Sequence, residues 1–318
     1  MSGHYHKALL ENRMPKVSIC IPTYNQAAYL KKTINSVLAQ TFNDYEIIIT
    51  DDSPNDSVKD LVSSFSRKDV IKYFKNPVQL GSPENWNESI RKANGEYIKI
   101  LHHDDWFYDN RSLAKYVAML GKSQNVDFAF SATKACSALN GDYVHSPTPE
   151  QLKNLGKEPT VLYCNNFVGA PSNTIFRNKK NFLFDKNIKW LVDIDFYIRM
   201  LQHNGNFAFT EEVLSVTNLP EGRVSDHCAN NKQVELFEYF YVLDKLRHVK
   251  SKTPKESYFQ LILEAIRICK KYSTFNKIEI RQSGYTGAIP LAVITYFKLY
   301  KASKLSARAY LKILRTKQ

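Results

Sequence analysis

The stretch VSICIPTYNQAAYLKKTINSVLAQTFNDYEIIITDDSPND, residues 17–56, decides the fold. It opens on a β-branched apolar run, VSICI at 17–21, as expected of a buried strand. Pro22, Thr23, Tyr24 and Asn25 then read as a turn. Leu30, Ile34, Val37 and Leu38 recur at helical spacing and mark one apolar face. YEIIIT at 45–50 is a second buried strand, ending in the turn formers DDSPND. Outward from this unit the alternation continues: a helix near 56–66, the strand IKYF (71–74), a helix near 84–94 and the strand YIKIL (97–101). FYDNRSLAKYVAML follows as a helix and VDFAFS (126–131) as a strand. This order predicts an α/β fold, a mostly parallel Rossmann-like sheet with flanking helices. Residues 132–190, punctuated by Pro147, Pro149, Pro159 and Pro171, read as a lid or an acceptor-facing region. A helix resumes at about 193–204, and from about 233 the pattern is all helical.

The 318 residues are 43% hydrophobic and 13% aromatic, enough for a core and incompatible with disorder. Lys and Arg number 44 against 31 acids, a formal charge of +13. Its location matters more than its size. Residues 1–243 hold 27 of each sign, whereas residues 244–318 hold 17 basic residues and 4 acids. A neutral working part with a basic appendage is the reading, and nucleic-acid binding by the whole chain is disfavoured. Five scattered cysteines with no CxxC suggest neither a disulfide framework nor a cysteine zinc site, and fit a reducing cytoplasm. The N-terminal MSGHYHKALLENRMPK has no signal-like apolar core. The apolar run AIPLAVITYF is half of the ~20 residues that a spanning helix needs.

In an open parallel sheet, ligands bind beyond the carboxyl ends of the strands, so PTYN, DDSPND and HHDD are the clusters to inspect. No GxGxxG or GxxxxGK[ST] is present, which excludes the common glycine-cradled routes to a pyrophosphate. Asp104 and Asp105 are adjacent acids at a strand end, which suits a hard divalent cation completed by substrate phosphates; a solvated turn satisfies the same residues. Asp51 and Asp52 alone are ordinary turn formers, but with the other pair they put four carboxylates on one sheet edge. Asp193, at the start of a helix, reads as a cap or as a general base. Trp106, Phe107, Trp190, Phe196 and Tyr197 read mainly as core, with Trp190 singled out as acceptor-facing.

Residues 17–56 together with NPVQLGSPENWNESIRKANGEYIKILHHDD (76–105), VGAPSNTIF (168–176) and VDIDFYIRML (192–201) resemble the family 2 glycosyltransferases, in the right order over roughly residues 15–225. The resemblance implies the GT-A fold and an inverting, metal-dependent transfer from a nucleotide sugar. It implies that Pro22 and Tyr24 contact the base and that Asp52 hydrogen-bonds the pyrimidine. Asp104 and Asp105 match the DXD-type element, Asp105 as the ligand of Mn²⁺ or Mg²⁺ and Asp104 as a contact of ribose or metal water. Asp193 matches the catalytic base. Three departures stand out. Val192 replaces the Glu usual before the base, and Trp86 replaces an Arg, leaving Arg91, Lys99 or Arg223 as cations for the diphosphate. The downstream Arg-x-His segment is not evident, so His227 is the candidate for a third metal or diphosphate contact, with a lone exposed histidine as the other reading.

Residues 281–318 carry eight basic residues and no acid. Lys298, Lys301, Lys304, Arg308, Lys312 and Arg315 fall at spacings of three and four, one stripe on a helix suited to an anionic bilayer. The chain is thus expected to divide into a catalytic domain, 1–232, and a basic, membrane-associating extension, 233–318. The expected function is transfer of a sugar from a UDP- or dTDP-linked donor to a glycan or lipid-linked acceptor. The setting would be bacterial surface-polysaccharide assembly, O-antigen, capsule or lipooligosaccharide, on the cytoplasmic face of the plasma membrane, without nucleic acid as a partner. The alternatives are a non-catalytic sugar-nucleotide- or membrane-binding protein on the same fold, and a basic nucleic-acid binder.

Overall fold

The computed structural model describes residues 14–137, 141–180, 182–248 and 255–316. The N-terminal stretch read for a signal lies mostly outside them. The chain forms two compact units. The first comprises residues up to 146, 168–184 and 206–219; the second comprises 147–167, 185–205 and 220 onward.

The first unit is built on a nine-stranded mixed sheet. Strands β1 (Val17–Thr23), β2 (Tyr45–Asp51), β3 (Ile71–Lys75) and β4 (Tyr97–Ile100) run parallel in the order 3-2-1-4. Their register places Val17 beside both Tyr45 and Tyr97. Every residue of β1, β2 and β4 is buried, which explains why they read as continuous rather than alternating apolar runs. β5 (Trp106–Phe107), β6 (Phe128–Cys136), β7 (Tyr143–His145), β8 (Thr174–Arg177) and β9 (Phe207–Asn218) complete the sheet. The parallel order ends where β8 pairs antiparallel with β4 and with β6. The sheet is therefore parallel on one side and mixed on the other.

Helices α1 (Ala27–Leu38), α2 (Ser57–Ser63), α3 (Glu84–Lys92) and α4 (Ser112–Gly121) belong to the same unit. α1 buries Leu30, Ile34 and Val37 together with Thr33. Gly95, just before β4, is required by crowding: a Cβ there would lie 2.4 Å from the Ser18 nitrogen.

The second unit is helical: α5 (Pro149–Lys157), α6 (Val192–His203), α7 (Val224–Cys228), α8 (Lys232–His248), α9 (Lys255–Lys271), α10 (Lys277–Gln282), α11 (Leu291–Ala302) and α12 (Lys304–Thr316). Thus α6, which carries Asp193, and the C-terminal helices share one unit. The basic stripe corrects one expectation. It does not run along a single helix but is split between α11 and α12. Ser303 adopts extended backbone (φ −162°, ψ 126°), and its Oγ accepts the Leu305 N–H (3.2 Å), the usual chemistry of a helix start. All six basic residues of the stripe are nonetheless exposed. Among the described residues no helix is long and apolar enough to cross a membrane.

Candidate active site

In the first unit, the ends of β1, β2 and β4 carry the polar clusters. Pro22 is buried, whereas Tyr24 beyond it is 43% exposed. Asn25 takes the left-handed conformation (φ 60°), tolerable for Asn, and its N–H donates to Ser53 Oγ (2.8 Å). The Asp52 N–H donates to the Thr23 carbonyl (3.0 Å), so the two loops are tied together.

The neighbouring acids Asp51 and Asp52 have separate duties. Asp51 is fully buried; its carboxylate accepts from Tyr73 Oη (2.7 Å), Lys75 Nζ (3.2 Å) and the Ser53 N–H (2.8 Å). Asp52 accepts from Asn76 Nδ2 (2.6 Å) and the N–H groups of Leu80 (3.1 Å) and Gly81 (2.7 Å). It therefore latches the loop 76–81, where Gly81 has φ +72°.

The HHDD turn is held from three sides. Thr33 Oγ1 lies 2.8 and 2.7 Å from the carbonyl oxygens of His103 and Asp105. The His102 N–H donates to Ser172 Oγ (3.0 Å), and His103 Nδ1 is 3.3 Å from the Pro22 carbonyl. Asp105 is 2% exposed, and its Oδ1 accepts the Asn218 N–H (2.9 Å). Burial, then the charge of Asp104, holds its carboxyl well above the usual carboxylate range. Asp104 is the more accessible of the two.

Lys99 is fully buried beneath this turn. Its ammonium donates to the carbonyls of Ser172 and Ile100 and lies 4.6 Å from the Tyr116 ring centroid. Burial depresses it to about 7, partly offset by Asp105. Lys99 is thus an internal amine of the fold, bound to backbone carbonyls. Arg91 pairs with Glu84 (2.6 Å) and Glu88 (3.1 Å), and Arg223, in the second unit, with Asp226 (2.9 Å). Trp86, at the position of the missing Arg, covers His102 (centroids 4.6 Å) and meets Phe184 edge-on (5.2 Å). Burial pushes His102 down to about 4, so its ring is neutral at neutral pH.

A divalent cation fits this turn. Asp105 is raised by burial and by the charge of Asp104, and the buried Nε2 of His102 has no hydrogen-bond partner. No three acidic, histidine or cysteine side chains cluster among the described residues.

In the second unit, Asp193 stands in the first turn of α6 and is partly buried. Its Oδ2 accepts from Asn166 Nδ2 (2.8 Å) and its Oδ1 from the Ile194 N–H (2.9 Å). Desolvation nevertheless raises its carboxyl to about 6, with the charge of Glu238 as a smaller contribution. It is not the cap of this helix: the N-cap position is Leu191. Glu238 of α8 holds the turn that leads into the helix: its carboxylate accepts the N–H groups of Lys189, Trp190 and Leu191, each at 2.8 Å. Sequence reasoning did not find Glu238. Its only signal is a buried acid (3% exposed) on a helix, invisible without the tertiary contact.

Trp190 is partly exposed, Phe196 and Tyr197 are fully buried, and Phe107 is 3% exposed, so the last three are core as expected of aromatics. His227 lies exposed on α7. The structure brings Pro22, Tyr24, Asp52, Asp104 and Asp105 together in the first unit; Asp193, Trp190 and His227 belong to the second.

Residues 18–196 match the profile of Glycosyl transferase family 2. The chain belongs to that family. This glycosyltransferase is 28% identical over 231 residues to an uncharacterized glycosyltransferase of Methanocaldococcus jannaschii, covering 71% of this chain and 78% of the relative. It is 26% identical over 290 residues to the putative colanic acid biosynthesis glycosyl transferase WcaA of Escherichia coli, covering 88% and 94%. Among solved structures, Staphylococcus aureus TarS (residues 1–349, with UDP-GlcNAc) superposes with a TM-score of 0.65 at 14% identity, covering 95% of this chain and 90% of that one. A mannosyltransferase of Pyrobaculum calidifontis, solved with GDP-Man and Mn²⁺, gives 0.58 at 13% identity, covering 95% and 85%. At these identities the likeness speaks for the fold alone, and the fold is GT-A.

Proposed function

We propose that this glycosyltransferase moves a sugar from a UDP- or dTDP-linked donor to a hydroxyl of a glycan or lipid-linked acceptor, with inversion at the anomeric carbon. The observation that carries this reading is Asp193: a carboxylate in the first turn of α6, held by Asn166 and the Ile194 N–H and raised to about 6, hence ionised at neutral pH yet more basic than an ordinary Asp. As the acceptor oxygen attacks the anomeric carbon, its proton passes to Asp193. The bond from that carbon to the diphosphate oxygen breaks, and its electron pair leaves with the nucleoside diphosphate. One displacement with one base inverts the centre, and no enzyme nucleophile is needed.

Asp104 and Asp105 would hold the divalent cation. Bound there, it would offset negative charge on the leaving diphosphate. The accessibility of Asp104 and the engagement of Asp105 with Asn218 support Asp104 as the direct ligand and Asp105 as the acid behind it, the reverse of the emphasis drawn from the resemblance. Tyr24 and the loop latched by Asp52 would receive the base and ribose. The exposed basic residues of α11 and α12, with Leu305 77% and Ile313 50% exposed among them, support peripheral attachment to an anionic membrane. A bacterial surface polysaccharide assembled on the cytoplasmic face is the setting this favours, and the colanic acid relative agrees.

The test is a transfer assay with a panel of nucleotide sugars and Mn²⁺, the product's anomeric configuration read by NMR. A retained configuration, or an Asp193→Asn variant that transfers at the wild-type rate, would refute the mechanism.

A further inference from the structure

The last torsion of an Asp side chain is broad and roughly two-fold, so a carboxylate without partners samples many orientations. A general base has to keep an oxygen within reach of the proton it takes. In the second unit, two donors settle the orientation of Asp193. The Ile194 N–H meets Oδ1 (2.9 Å), and Asn166 Nδ2 meets Oδ2 (2.8 Å). The first bond is local to the start of α6. The second comes from a residue 27 positions earlier in the chain.

Asn166 is itself held in place. It follows the 3₁₀ turn Pro159–Tyr163, which packs against α6. Glu158 caps that turn, its Oε1 accepting from the Thr160 N–H (3.2 Å) and Oγ1 (2.9 Å). Tyr163, 1% exposed, donates through Oη to the Tyr239 carbonyl (2.8 Å), and the two rings meet edge-on (centroids 5.3 Å). Phe167, directly after Asn166, is buried. Tyr239 neighbours Glu238, which holds the 189–191 turn. Two consecutive residues of α8 thus secure both segments that reach Asp193, one through a carboxylate and the other through a backbone carbonyl.

A neutral amide suits this position. A Lys or Arg would favour the ionised carboxylate by a full charge and make it a weaker base, and an acid would compete for the proton. An amide donor orients the carboxylate with less loss of basicity. We propose that Asn166 is a positioning residue, pinning Oδ2 of Asp193 so that the carboxylate keeps one orientation towards the acceptor hydroxyl. This role rests on the reading of Asp193 as the base.

The surrounding charges set the sign of the test. Burial raises Asp193 and Glu238 of α8 adds to it; burial raises Glu238 in turn, while Lys189 favours its ionised form. Asp195, on α6, is matched by Arg199 (2.8 Å) and Lys245 (2.5 Å). Asn166→Ala, and Asn166→Leu, which keeps the bulk, alter none of these groups. Each removes a donor to the ionised carboxylate, so Asp193 should titrate about one unit above its present value of about 6.

The experiment is a pH titration by carbon-13 NMR of the full chain labelled at its Asp carboxyls, with the Asp193 signal identified by its loss in Asp193→Asn. Initial rates are measured on the same preparations. In both Asn166 variants the Asp193 titration and the acid limb of the kcat profile are expected to move up together by about one unit. At the pH optimum kcat is expected to fall by about tenfold, with KM for donor and acceptor within about twofold of wild type. UDP protection against thermal unfolding at the wild-type level reports that the variants fold. An unmoved titration and acid limb in both variants overturn the positioning role, because a merely structural asparagine would leave both in place. If Asp193→Asn transfers sugar at the wild-type rate, the base reading falls, whatever the Asn166 variants do. If Asp193→Asn is inactive while both Asn166 variants keep the wild-type kcat and acid limb, the base stands and the role of Asn166 falls.

Discussion

Replacing Asp193 by Asn should cost activity and raise stability, and the two effects have one cause. Burial lifts this carboxyl from 3.8 to about 6 in the native state. Below pH 3.8 it is neutral in both folded and unfolded chains, and its contribution to stability is fully present. As the pH rises towards 6 the unfolded chain ionises first, so the native state loses stability through that window. The two-unit difference corresponds to about 3 kcal/mol lost above pH 6, at roughly 1.4 kcal/mol per unit. An Asn carries no charge to desolvate and recovers that loss. Both Asn166 and Ile194 donate to Asp193, and one amide oxygen serves them less well than two carboxylate oxygens, which costs about 1 kcal/mol. The net expectation is a variant about 1–2 kcal/mol more stable than wild type at pH 8, with the advantage gone below pH 4. Denaturant unfolding at pH 4, 6 and 8 measures it. In the same preparations, wild-type kcat should fall as pH drops through about 6, and the variant should lose a factor of about 10²–10⁴. A variant less stable than wild type at pH 8, or a stability difference that ignores pH, would show that Asp193 is not a desolvated carboxylate, and the argument for it as the base would go with it.

Glu238→Gln keeps an oxygen for the 189–191 turn but removes the charge beside Asp193, so the acid limb of the pH–rate profile should move to lower pH; a role confined to capping leaves that limb in place. Asp52→Ala releases three donors of the 76–81 loop and should cost about 1–3 kcal/mol together with a weaker donor KM, read by thermal unfolding and initial rates. Excess chelator should abolish turnover, and Asp104→Ala should weaken Mn²⁺ binding more than Asp105→Asn does, measured by calorimetry. Lys301→Glu, Lys304→Glu and Arg308→Glu together should abolish sedimentation with phosphatidylserine vesicles, since each basic residue near such a surface contributes about 1 kcal/mol.

The strands and motifs of the first unit were legible because their signal is local. Ile47, Ile48 and Ile49 are buried on both faces of a parallel sheet, and only a continuous apolar run does that. The polar clusters after β1, β2 and β4 were legible because parallel topology brings those ends to one edge. What stayed hidden is non-local. Asp51 and Asp52 are adjacent and look alike, yet one is sunk among Tyr73 and Lys75 while the other ties down a loop 24 to 29 residues away. The split at Ser303 was missed because the basic spacing of three and four continues through it, and periodicity does not register a single residue whose backbone is extended.

The departure at residue 192 now has a physical account. Val192 is 3% exposed, so a Glu there would be an additional acid in a site that already desolvates Asp193. The chain instead places its second carboxylate on α8, where three backbone N–H groups meet Glu238. Those donors hold its oxygens and orient the turn that leads into α6, while its charge still acts on Asp193. A carboxylate satisfied by backbone donors raises the basicity of the proposed base, Asp193, whereas one adjacent in sequence would have to find other partners. The negative charge beside Asp193 therefore comes from the helical part of the chain and not from residue 192.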